Sequence, residues 1–78
     1  MQLKELVEYM AKSLVDDIGG VDVQEIQGEL SSMIQLRVSK GDLGKIIGKR
    51  GQNVGSLRTI VTAVAAKHHR RVFLEIIE

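Results

Sequence analysis

Neither cysteine nor proline occurs in these 78 residues. Without cysteine there is no disulfide framework and no thiolate metal site. Without proline, and with no long polar stretch, nothing marks a linker. One small domain over residues 1–78 is therefore expected, near the size at which a single core only just suffices. Tryptophan is absent, and Tyr9 and Phe73 are the only aromatic residues. Long apolar runs are missing as well. Met1-Gln2-Leu3-Lys4-Glu5 mixes polar with apolar residues, and no run reaches the length of a signal-peptide core or a membrane span. A cytoplasmic protein with no membrane partner is the default expectation. The start at Met1 points to a whole protein rather than an excised piece.

The chain is 44% hydrophobic and 27% charged, ordinary for a folded protein and unlike a disordered one. Its net charge of +1 favours no particular partner. The distribution says more. Residues 1–39 hold three bases against seven acids, a net −4, whereas residues 40–78 hold eight bases against three acids, a net +5. A basic half of this kind suits an anion-binding face and equally suits plain solvated surface.

Leu3, Leu6, Val7, Met10, Leu14, Val15 and Ile18 recur at helical spacing, which predicts an amphipathic helix stopped by Gly19-Gly20. Asp16 and Asp17 would fall in its last turn, where the helix dipole disfavours acids. A strand is predicted from Val21 and Val23 to about Gln27. A second follows from the alternation of Ile34, Leu36 and Val38 with Gln35, Arg37 and Ser39, with a turn over Gly28–Ser32 between them. Asp42 fits a helix cap, and Leu43 to Ile47 a helix of little more than one turn that ends at Gly48. Val54, Leu57, Val61, Val64 and Ala65 predict a longer helix reaching about Lys67, and Val72, Leu74 and Ile76 a last strand. The order αββααβ implies an α+β fold, a three-stranded sheet with its helices on one face.

Ile46-Ile47-Gly48-Lys49-Arg50-Gly51 is the most informative stretch. Two branched apolar residues lead into a turn with two cations between glycines, and the turn opens a helix. Such a turn presents free N–H groups and the positive end of the helix dipole, both attractive to phosphate. It is not a P-loop, because Gly44-Lys45 leads to Ile46 and Gly48-Lys49 to Arg50 where a Ser or Thr is required. The three-glycine dinucleotide fingerprint is absent too. His68-His69 is no metal pair, since adjacent helical residues point apart and no carboxylates accompany them. No nucleophile–base arrangement and no buried carboxylate pair can be placed, so neither an enzyme nor a bound cofactor is expected.

Residues 46–54, Ile46-Ile47-Gly48-Lys49-Arg50-Gly51-Gln52-Asn53-Val54, match the signature of the KH domain, a single-stranded nucleic-acid module whose GxxG loop clamps about four nucleotides. The element order resembles the type II, prokaryotic form of that fold. Leu3 to Tyr9, Leu14-Val15-Asp16, Gly44 to Lys49 and Lys67 to Ile76 also resemble the small bacterial single-KH proteins of the KhpA type, so the likeness runs along essentially the whole chain. Two departures stand out. There is no proline after the first helix, where such proteins often carry one, and Gly55 stands where a bulkier helix former is expected.

The resemblance implies a single-stranded RNA-binding protein, an RNA chaperone or post-transcriptional regulator, acting as a homodimer or with another KH-domain protein. It places Gly48, Lys49, Arg50 and Gly51 on the RNA backbone. Ile46, Ile47 and Val54 become the floor of a groove, with Leu36 or Arg37 on the strand beside it, and Lys45 and Arg58 become further cations. From spacing alone, Ile46, Ile47 and Val54 fit a core as well as a groove, and Lys40, Lys45 and Arg58 fit ordinary solvated charge. With so few aromatics, stacking of the kind used by RRM and OB modules is not expected. The rival function is a protein-interaction module whose RNA contact is incidental. The glycine turn could serve RNA or a partner chain, and not both in one state.

Overall fold

Alternation along three short segments sets the sheet in this computed structural model, which describes residues 2–78; Met1, on which the expectation of a whole protein rests, lies outside the described residues. Strands β1 (Asp22–Gln27), β2 (Ser31–Arg37) and β3 (Arg71–Ile77) stand in the order β1-β2-β3. β1 and β2 form an antiparallel hairpin, with Asp22 opposite Arg37 and Gln27 opposite Ser32. β2 and β3 are parallel, Ser31 opposite Arg71 and Arg37 opposite Ile77. A parallel pair needs a crossover, and helices α2 (Leu43–Ile47) and α3 (Gln52–Lys67) supply it.

Successive strand residues point to opposite faces. Ser32, Ile34 and Leu36 of β2 and Val72 and Leu74 of β3 are buried beneath helices, while Arg37, Arg71, Phe73 and Glu75 face outward. Helices therefore cover one face of the sheet and leave the other open. Val7 and Ala11 of α1 (Leu3–Leu14), Ile46 of α2, and Leu57, Val61 and Ala65 of α3 complete a single apolar core with the strands.

Helix α1 is shorter than its apolar stripe. It ends at Leu14, and Val15 turns to extended backbone (φ −94°, ψ 159°) while keeping its side chain in the core. Ile18 lies in a separate 3₁₀ turn and is 55% exposed. The early stop has a cause far along the chain. The N–H groups of Asp16 and Asp17 donate to the Asp42 carboxylate, at 3.3 and 3.0 Å, and so cannot extend the helix. Asp42 is thus not the side-chain cap of α2; it ties the start of that helix to the end of α1. The two aspartates lie outside the helix, so the expected conflict with its dipole does not arise.

β2 ends at Arg37, short of the expected Val38 and Ser39; the other boundaries fall within a residue or so of expectation, except at the hairpin. There β2 starts at Ser31, Met33 belongs to the strand, and Leu30 sits at the turn.

Candidate nucleic-acid interface

The segment between α2 and α3 is built from backbone conformations that side chains oppose. Gly48 has φ 74° and ψ 176°, a region open essentially to glycine alone. Gly51 is left-handed at φ 74° and ψ 16°. Arg50 between them is also left-handed (φ 55°, ψ 27°), a strained state for a residue with a Cβ. The Gly48 N–H closes α2 on the Gly44 carbonyl at 2.8 Å, and the Gly51 N–H returns to the Gly48 carbonyl at 3.2 Å. The Gln52 N–H then bonds the Lys49 carbonyl. This pattern leaves the N–H groups of Lys49 and Arg50 at the open end of the turn, ahead of α3.

Asn53 locks the turn from behind. Its side-chain amide donates to the Lys45 carbonyl at 2.8 Å, satisfying an acceptor at the C-terminal end of α2. A Cβ on Gly48 would lie 2.7 Å from Asn53 Cγ, so no side chain fits there without displacing this brace. Lys49 and Arg50 are exposed. Among the described residues, no acid stands within ion-pair distance of either. The result is a braced loop carrying two exposed cations and two backbone N–H groups without a hydrogen-bond partner among the described residues.

The remaining expected site residues divide. Ile46 is fully buried, which makes it core rather than groove floor. Val54 is also nearly buried, at 9% exposed, while Ile47 is 37% exposed beside the loop. The strand beside α3 is β3, not β2, because α3 runs directly into β3 and packs on it. Leu36 lies in the central strand at zero exposure, beyond the reach of any ligand. Arg37 ends that strand and faces a different hollow of about 410 Å³, shared with Val38, Lys40, Leu43, Ile77 and Glu78.

A smaller hollow, about 110 Å³, lies between α3 and β3. Arg58, Val61 and Thr62 of α3 face Val72, Phe73 and Leu74 along the free edge of β3. Arg58 Nε donates to the Leu74 carbonyl at 3.4 Å, so it lines this groove. Thr62 and the β3 edge are not foreseen from the sequence. The signal is present there, since two helices between β2 and the last strand imply a parallel crossover, which puts that strand at an edge beside α3.

Lys45 is placed differently again. Its ammonium meets the Asp16 carboxylate and Asp42 Oδ1, the latter at 3.3 Å. Hydrogen bonding to Asp16 first, then to Asp42, raises the Lys45 pKa above its ordinary 10.5. The Asp17 N–H holds the Asp42 carboxyl below its ordinary 3.8; burial opposes this, while the Asp16 N–H and Lys45 add to it. Lys45 is therefore a paired cation and not a free one.

With this geometry in view, similarity to known proteins is informative. A family model described as KhpA/KhpB, KH domain, matches residues 4–76. The chain belongs to the KhpA/KhpB KH-domain family. Similar relatives are each named RNA-binding protein KhpA. That of Aquifex aeolicus is 51% identical over 97% of this chain and 96% of its own length. That of Borreliella burgdorferi is 50% identical over 95% of this chain and 90% of its own, and that of Clostridium perfringens 49% over 96% and 100%. A crystal structure of Era from Aquifex aeolicus superposes with a TM-score of 0.62 at 22% identity, covering 95% of this chain and 29% of the Era chain, a likeness of fold. The type II KH architecture read from the sequence is thus the one this family member has. Gly48-Lys49-Arg50-Gly51 form the connection between its helices α2 and α3.

Proposed function

We propose that this chain binds single-stranded RNA, gripping the sugar–phosphate backbone at Gly48–Gly51 and laying bases along the groove between α3 and β3. It acts as a binder and not as an enzyme, in the manner of an RNA chaperone or post-transcriptional regulator. The observation that carries the reading is the loop. Two exposed cations and the N–H groups of the same residues stand at the mouth of α3, on a backbone that only glycine can shape. Family membership and the names of the relatives point the same way. Recognition of bases follows from the groove: its small Thr62 and the free edge of β3 leave room and backbone hydrogen-bonding groups for them.

The test is titration of short single-stranded RNA at two salt concentrations against wild type and the Lys49→Asp/Arg50→Asp variant. Removing two charge-assisted hydrogen-bond donors weakens binding by about tenfold or more. The remaining binding has a shallower salt dependence, by about 0.7 in the log–log slope for each phosphate that is no longer neutralised. Circular dichroism stays unchanged. Equal affinity in the variant rejects the clamp.

For a protein partner, the reading is a second KH-domain chain, a copy of this one or a larger relative. An apolar hollow of about 310 Å³ between α1 and α3 favours such an association, lined by Tyr9, Met10, Leu14, Leu57 and Ile60 among others. Tyr9 is 62% and Ile60 42% exposed. Light scattering on the same two proteins checks it. A dimer whose RNA affinity does not depend on Lys49 and Arg50 would favour the interaction-module reading instead.

A further inference from the structure

Among the described residues, Lys45 is the one cation of the basic half that stands within ion-pair distance of acids. Its main chain is bound into the loop, because the Lys45 carbonyl accepts the Asn53 amide. Its ammonium is turned away from the loop, toward the junction of α1 with β1. Two acids hold it there, and they differ. Asp42 is buried and already fixed by two backbone N–H groups. Asp16 is exposed over 84% of its side chain, and Lys45 is the only hydrogen-bond donor to its carboxylate among the described residues. Asp16 therefore contributes little to packing; what it contributes is a negative charge beside a cation one helical turn from the phosphate clamp.

We propose that Asp16 withholds Lys45 from RNA, acting as a positioning residue that limits how many phosphates the α2–loop–α3 unit engages. The proposal rests on the clamp reading above. An exposed ion pair in high dielectric adds little to stability, but it decides which anion its lysine faces. Removing the Asp16 charge leaves Lys45 with Asp42 alone, whose Oδ1 also accepts the Asp16 N–H. The ammonium can then turn to a phosphate entering at Lys49.

The experiment measures the salt dependence of binding to a fluorescent single-stranded RNA for wild type, Asp16→Asn, Lys45→Gln, the Asp16→Asn/Lys45→Gln double variant, and Lys49→Asp/Arg50→Asp. Glutamine at position 45 keeps a donor for Asp42 while removing the charge, and circular dichroism with thermal melting confirms that each variant folds. Asp16→Asn is expected to steepen the log–log salt slope by about 0.7, one extra neutralised phosphate, and to bind several-fold more tightly at low salt. Lys45→Gln alone keeps the wild-type slope, and in the Asp16→Asn background it abolishes the gain. An unchanged slope in Asp16→Asn overturns the proposal. So does a gain that survives without Lys45, or a shallower slope in Lys45→Gln alone, which would mean that Lys45 already touches phosphate. If the Lys49→Asp/Arg50→Asp variant binds like wild type, the clamp reading falls and this proposal with it. If that variant loses binding while Asp16→Asn keeps the wild-type slope, only the present proposal is rejected.

Discussion

At Gly48 two constraints fall on one Cα: a backbone conformation that excludes side chains, and Asn53 standing where a Cβ would go. Gly51 carries the first kind of constraint only, a left-handed conformation with its nearest neighbour at 4.0 Å. The two glycines look alike in the motif, and their replacements should differ. Gly51→Ala costs about 1–2 kcal/mol, the usual penalty for left-handed backbone. Gly48→Ala costs more, about 2–4 kcal/mol, since the strain of its region adds to a forced shift of the Asn53 brace. Urea denaturation of the two variants checks the order, and a larger destabilisation at Gly51 would refute it. Sequence reading identifies both glycines but cannot rank them, because the difference lies in Asn53, a residue the motif leaves variable.

Among the elements, α3 carries most of the site, and Gly55 within it departs from what the family resemblance implies. A Cβ added at Gly55 meets nothing within 4 Å. Close helix packing is therefore not the reason for this glycine. Gly55→Ala should stabilise the protein by about 0.5–1 kcal/mol, the helix-propensity difference between the two residues, seen as a higher urea midpoint with unchanged slope. A destabilised Gly55→Ala would refute the open space at this position. The bounds of α2 and α3 are legible because apolar spacing and flanking glycines are local signals. The end of α1 is not, since its apolar spacing continues through Val15 to Ile18. What stops the helix is a carboxylate 25 and 26 residues away, bonding the N–H groups that the next turn would need. The groove partner of α3 is legible only in the order of elements along the whole chain, since two helices between β2 and the last strand imply a parallel crossover that no local motif displays.

For the molecule as a whole, the division into an acidic N-terminal half and a basic C-terminal half is plain in the sequence. Which cations remain free is not, because the Lys45–Asp16 pair spans 29 residues. Asp42 is the acid that joins the halves, bonding the backbone after α1 and the Lys45 ammonium on α2. That junction makes stability depend on pH in a defined direction. The folded carboxyl of Asp42 holds its proton less tightly than the unfolded one, its pKa lying below 3.8. Its contribution is therefore complete above the unfolded value and is lost as pH falls through the lower, folded value. Lys45, raised above 10.5, behaves oppositely: its share is full below that value and is lost as pH rises through the folded value. Asp42→Asn keeps an oxygen for one backbone N–H but removes the charge. Its melting temperature should lie below that of wild type at neutral pH, and the gap should narrow as pH drops below about 3.8. Thermal melts of both proteins between neutral and strongly acidic pH test this. A gap that stays constant across the acid range would mean that the destabilisation does not come from the loss of the Asp42 charge.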